Sequence, residues 1–283
     1  MDNSRTFNTF SVNRGTYGIT DFLKSDSLIA KFIFLILVVI MFVLFLRIGL
    51  YLLYWFTGPT ESPHLIDGMV DAKQQLVFPQ DPKMNNAVTI ERSVDERKGI
   101  EFTWSVWIYI NDLQYNKGKY KHVFHKGNGS LENTGLNFPN NAPGLYIAPD
   151  TNSLVIMMNT FKVINEEVVV PNIPLNKWVN VIIRCQNTTL DVYINGTIVR
   201  SVQLTGVPKQ NYGEVFVAQN GGFDGNISNL WYYNYALGTT EILNIANGGP
   251  NTNLINAAGM ITKPSDYLSL RWYFYGNSDM YNP

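Results

Sequence analysis

The side chains able to do chemistry are few and scattered. His64, His122 and His125 are the only imidazoles, and Cys185 is the only thiol. His122 and His125 stand three apart in Lys121 to Lys126, a stretch that reads as a strand. Neighbouring strand residues point to opposite faces, so the two rings are expected on opposite sides of a sheet. Cys185 falls in an apolar strand and is expected as a small core residue, not a nucleophile. One cysteine excludes an internal disulfide, and zinc-type ligand spacings are absent. Glycoside cleavage needs two carboxylates about 5–10 Å apart across the sugar bond. Here Glu101, Asp112, Glu132, Asp150, Glu166, Glu167, Asp191, Glu214 and Asp224 are dispersed, and the Glu166–Glu167 pair would split between strand faces. The expectation is therefore no enzyme. No Gly-rich loop follows a strand and opens a helix, so no phosphate cradle is expected.

Calcium wants about six to eight oxygens. Asp150 and Asn152 in one turn, and Asp224 in another, are the candidate ligands, although plain turns also favour Asp and Asn at such positions. The reading is no obligatory cofactor, with calcium as the one ion to test. Tyrosines near strand ends, Tyr109, Tyr146 and Tyr212 with Tyr115 and Tyr120, are candidate platforms for a sugar or a partner surface. Four Asn-x-Ser/Thr sequons begin at Asn128, Asn187, Asn195 and Asn226. A chain this rich in Asn, Ser and Thr produces roughly four by chance.

The elements that must hold these residues begin with a helix. From Phe32 to Leu46 every residue is apolar, within the longer run Leu28 to Phe56. A bilayer core of about 30 Å takes about 20 residues of helix. The run reaches that length when Lys31 and Arg47 snorkel to the interfaces. Tyr51, Tyr54, Trp55 and Phe56 then form an aromatic collar, and Thr57-Gly58-Pro59 stops the helix. A signal peptide is shorter and ends in small residues, so an uncleaved anchor is expected. Arg5, Arg14, Lys24 and Lys31 precede or open the span, whereas the next cation after Arg47 is Lys73. The positive-inside rule puts the N-terminus inside and the remaining chain outside. Residues 1–27 read as an interior tail and 57–84 as a linker.

From residue 85 to 248 strand signals dominate. Phe102, Trp104, Val106, Ile108 and Ile110 alternate, as do Val179, Val181 and Ile183, and Leu190, Val192 and Ile194. Asn195-Gly196 is a hairpin signal, because a type I′ turn needs positive φ at both central residues. Short strands at this spacing imply a β-sandwich. A helical period appears only over Thr239 to Ala246. Net charge is −1 with no basic stripe, which excludes a nucleic-acid footprint. The apolar stretch Tyr267 to Tyr275 is expected to dock as an extra strand on this domain or a neighbour, within a C-terminal segment 249–283.

Four phrases carry a resemblance: Phe102 to Ile108, Asn176 to Val181, Leu190 to Gly196, and Phe223 to Leu237 with its Tyr-Asn-Tyr-Ala-Leu ending. In this order they resemble the laminin-G-like, concanavalin A-like jelly-roll superfamily over about residues 85–248. The resemblance implies an all-β fold of two antiparallel sheets packed face to face, preceded here by one transmembrane helix. Members bind glycans or proteins, cleave polysaccharides or build assemblies, so function has to come from a site. The Asn-rich, Cys-poor composition and short tail also resemble membrane or minor capsid proteins of large DNA viruses. The expectation is a membrane-anchored, non-catalytic module for binding or assembly. Its partners would be a lipid bilayer and protein neighbours, with a glycan-binding lectin as the alternative and a glycoside hydrolase behind it.

Overall fold

A computed structural model describes residues 28–57, 60, 62–84, 87–93 and 100–255. The chain divides into two compact units, Met1–Gly58 and Pro59–Pro283. In the first, α1 (Leu28–Thr57) is long and apolar enough to cross a membrane. Its side chains from Phe32 to Phe56 are exposed, unlike those of a soluble core helix. Lys31 and Arg47 lie about 24 Å apart along the axis at 1.5 Å per residue. The tail 1–27 and its cations lie outside the described residues.

The second unit is two antiparallel six-stranded sheets. Its strands are β1 (His64–Asp71), β2 (Leu76–Phe78), β3 (Glu101–Ile110), β4 (Lys121–Gly127), β5 (Gly144–Ile147) and β6 (Leu154–Met158). They continue with β7 (Glu166–Val170), β8 (Trp178–Gln186), β9 (Thr189–Ile194), β10 (Thr197–Gln203), β11 (Glu214–Val217) and β12 (Gly225–Tyr233), followed by α2 (Thr239–Gly248). The first sheet runs β1-β12-β3-β8-β9-β10 and the second β2-β11-β4-β5-β6-β7.

Alternation decides which side chains meet between the sheets. Phe102, Trp104, Val106, Ile108 and Ile110 of β3 face inward, with Val179, Val181, Ile183 and Cys185 of β8 beside them. Val123 and Phe124 of β4 and Leu154, Ile156 and Met158 of β6 oppose them, and Trp104 stacks on Phe124 at 5.1 Å. Asn195 and Gly196 turn β9 into β10 at φ 49° and 79°, the type I′ geometry expected of that pair.

Three elements depart from the sequence reading. The stretch 57–84, read as a linker, contains β1 and β2. Two register irregularities in β1 place Leu65 and Ile66 side by side in the core, which hides the alternation. The outer face of β3 is buried as well, because the turn before α2 lies over it. The Thr103 hydroxyl donates to the Tyr235 carbonyl at 2.9 Å and accepts from the Leu237 N–H at 3.0 Å. Ile182, Leu237 and Ile242 close that second layer. Finally, residues 253–255 lie along β1, with bonds of 2.8 and 2.9 Å to the Met69 backbone. Tyr267 to Tyr275 lies outside the described residues.

Candidate functional site

Strand β4 carries four ionisable side chains, Lys121, His122, His125 and Lys126, and its register decides where they point. Against β5, His122 is opposite Tyr146 and Phe124 is opposite Leu145, so Val123 is an extra residue, a β-bulge. Val123 and Phe124 consequently both enter the core, and His122 and His125 emerge on the same outer face. This corrects the expectation of opposite faces. The two rings touch, with His122 Nε2 2.6 Å from His125 Nδ1.

The surrounding bonds admit one proton arrangement. The Gln219 N–H donates to His122 Nδ1 at 3.0 Å, so Nδ1 is unprotonated and Nε2 carries the hydrogen. That Nε2–H donates to His125 Nδ1, and His125 Nε2–H donates to the Asn128 carbonyl at 2.8 Å. Both rings are neutral, and neither nitrogen shared between them is left for a metal ion. Burial pushes His122 well below its ordinary range, helped by the neighbouring ring. Burial pushes His125 down to about 4, against a smaller opposite effect of its bond to Asn128. On the same strand, burial pushes Lys126 down to about 8, and its amine donates to the Gly213 carbonyl at 2.6 Å. Lys121 is lowered too, mainly by burial, and donates to the Pro149 carbonyl at 2.8 Å.

Above this strand three loops, 128–143, 159–165 and 204–213, gather at one end of the second sheet. Asparagines join them. Asn159 Oδ1 accepts from the Asn141 N–H at 3.1 Å, while its amide donates to the Pro139 carbonyl. The Asn141 amide donates to the Asn137 carbonyl at 2.8 Å and to Asn165 Oδ1 at 2.7 Å. The Lys209 N–H donates to the Asn159 carbonyl at 2.7 Å, and the Phe161 N–H to the Val207 carbonyl at 3.0 Å. Asn211 ties the third loop to the Lys126 carbonyl at 3.0 Å.

On this rigid frame the loop tips expose Phe138, Phe161, Val163, Ile164, Val207 and Tyr212. Phe161 and Tyr212 are 70% and 79% exposed, and each has a cation over one ring face. Lys209 is 5.3 Å from the Phe161 centroid, and Arg92 is 5.0 Å from that of Tyr212. The Lys162 stem lies over Gly206, where a Cβ would come within 3.1 Å of it.

The ligand-binding candidates from sequence separate here. Tyr212 lies on the exposed platform. Tyr109 is half-buried against Trp178, ring centroids 5.5 Å apart. Tyr146 is 0% exposed, so it cannot present a ring to a ligand. Its hydroxyl donates to Asn141 Oδ1 at 2.7 Å and accepts from the Asn137 N–H at 3.2 Å, so it belongs to the frame of the platform. Phe161, Val163 and Ile164 were missed, although bulky apolar residues between Thr160 and Asn165 were a visible signal.

Among the calcium candidates, Asp224 forms an ion pair with Lys73. The Asn152 amide donates to the Ile173 carbonyl at 3.1 Å, and Asp150 is an exposed turn residue. Among the described residues no group of three His, Cys, Asp or Glu converges as a metal site would require. Burial pushes the Cys185 thiol up to about 12, far from a nucleophilic thiolate.

A family model described as the Concanavalin A-like lectin/glucanases superfamily matches residues 82–243. The chain belongs to this superfamily. No curated protein matches it. Among solved structures it is similar to the binding domain of botulinum neurotoxin DC in complex with rat synaptotagmin II, at 16% identity and TM-score 0.40, over 53% of this chain and 36% of that one. It is also similar to the serotype G binding domain, at 10% identity and TM-score 0.44, over 63% and 45%. A third is the neurotoxin DC binding domain in complex with SialylT, at 14% identity and TM-score 0.38, over 53% and 35%. The chain thus spans less than half the length of each of these structures.

Within the concanavalin A-like frame, many carboxylates serve structure. Glu101 accepts from Gln186 at 3.1 Å and Asp191 from Arg184 at 2.8 Å. Glu166 accepts from the Thr205 N–H at 2.9 Å, and Glu241 from the Gly238 N–H at 2.8 Å.

Proposed function

We propose that this protein is a membrane-anchored, non-catalytic concanavalin A-like module that binds or assembles through the three-loop platform. One observation carries the reading. The buried ionisable groups of β4 are held in structural hydrogen bonds, whereas bulky apolar side chains collect at the loop tips around Phe161 and Tyr212. Exposed clusters of that kind mark interaction sites. The apolar helix α1 supplies the anchor, with Lys31 and Arg47 at its interfaces, Tyr51, Tyr54 and Trp55 as the outer collar, and the N-terminus inside. An assembly role, such as a component of a viral particle, rests on the composition of the chain.

Photo-crosslinking residues placed at 161 and 212 of the full chain, in its native membrane, test this reading. Crosslinks are expected from both positions and none from Thr151, an exposed turn on another loop. Crosslinks equal at all three positions, or turnover of a polysaccharide by the purified chain, overturn it. Glycan recognition is a second reading, favoured by the free face of the Tyr212 ring. Binding on a glycan array that is lost in Tyr212→Ala would favour it.

A further inference from the structure

We infer that the three-loop platform docks on an anionic lipid surface, an inference that rests on the platform being the binding face. The pattern at the tips carries it. Phe161, Val163, Ile164 and Val207 project beside Lys162 and Lys209, and Tyr212 beside Arg92. Among the described residues, none of these three cations has a carboxylate within ion-pair distance. The core of a protein–protein interface is depleted of lysine, so lysines interleaved with the apolar tips argue against a protein partner. A sugar has no use for Val163, Ile164 and Val207. A bilayer surface uses both components, since the apolar side chains enter the boundary below the headgroups and the cations meet the phosphates. The aromatic rings suit the same depth.

Rigidity adds to the case. Thr160 closes the tip of the second loop, its hydroxyl accepting from the Val163 N–H at 2.9 Å. The asparagine bonds of Asn141, Asn159 and Asn165 hold that tip against its neighbours. Little conformational freedom is therefore lost on docking, and weak tip contacts suffice.

The test uses the full chain reconstituted in phosphatidylcholine nanodiscs and mixed with separate vesicles. These are phosphatidylcholine alone or phosphatidylcholine with phosphatidylserine, and co-flotation is measured against empty nanodiscs. The expected result is binding to the phosphatidylserine vesicles about tenfold above the neutral ones, weakened by added salt. F161S/Y212S and K162E/K209E should each abolish the difference, and circular dichroism identifies any variant that fails to fold. Equal flotation with both vesicles, no flotation, or flotation unchanged in a folded F161S/Y212S variant overturns the inference. Site-specific crosslinks from 161 and 212 to a protein, with no vesicle binding, would overturn the lipid assignment and leave the platform as the binding face.

Discussion

His122 and His125 touch because one extra residue, Val123, turns a three-residue spacing into a same-face pair. The bonds around them fix both rings as neutral, with Tyr146 the titratable side chain of β5 that faces His122. An unfolded histidine titrates near 6.5, and the folded His125 near 4. Between those values the unfolded chain binds more protons, so the stabilising effect is complete above about pH 6.5 and is lost as pH falls toward 4. By pH 5 His125 alone should remove about 2 kcal/mol, and His122 acts in the same direction. Urea midpoints at pH 7 and pH 5, followed by tryptophan fluorescence, measure this. His125→Gln should be less stable at pH 7 and show a shallower pH slope; an unchanged slope would rule out the pair as its origin. The bulge was not legible in Lys121 to Lys126, because an inserted residue in a strand leaves no mark on residue types.

At the scale of elements, strands with clean alternation were readable, and those whose faces are both covered or irregular were not. The inward residues of β3, β8 and β9 and the Asn195-Gly196 turn follow directly from period and turn chemistry. β1 was hidden by its irregular register, and the platform was hidden because asparagines that link loops read locally as turn formers. Tyr146 illustrates the same limit: nothing local distinguishes a ring that anchors a frame from one that meets solvent. Gly68 shows what β1 requires. Its φ is +134°, and a Cβ there would overlap the Ile255 side chain and sit 2.8 Å from the Asn253 carbonyl. Gly68→Ala should therefore release residues 253–255 from β1 at a cost of about 1–3 kcal/mol. Hydrogen exchange at the Met69 and Ile255 amides, which now bond across that seam, should accelerate, while exchange in β8 stays slow. Unchanged protection at Ile255 would mean that the seam tolerates a side chain.

For the whole molecule, an apolar helix and a sandwich with one buried thiol go together in a particular way. Cys185 is buried and can form no internal disulfide, so the sandwich depends on its core in either redox environment. In the proposed membrane-anchored reading, orientation rests on charge. Arg5, Arg14, Lys24 and Lys31 precede or open the helix, and after Arg47 no cation follows until Lys73. Synthesis into microsomes should leave an N-terminal tag open to protease and the sandwich protected. Glycosylation gives an independent reading of the same topology. Asn187 is an exposed turn residue followed by two threonines, whereas the Asn195 side chain is engaged, accepting from the Asn180 N–H at 2.8 Å. A lumenal sandwich should therefore gain a glycan at Asn187 that Asn187→Gln removes. Neutralising Arg5, Arg14 and Lys24 together should yield a mixed population, part protected and glycosylated and part neither. Arg47→Leu lengthens the apolar run without altering the flank that decides the direction, and it should leave the orientation unchanged. A wild-type sandwich that is digested and carries no glycan would reverse the topology and place the platform on the cytoplasmic side, with the basic tail across the membrane from it.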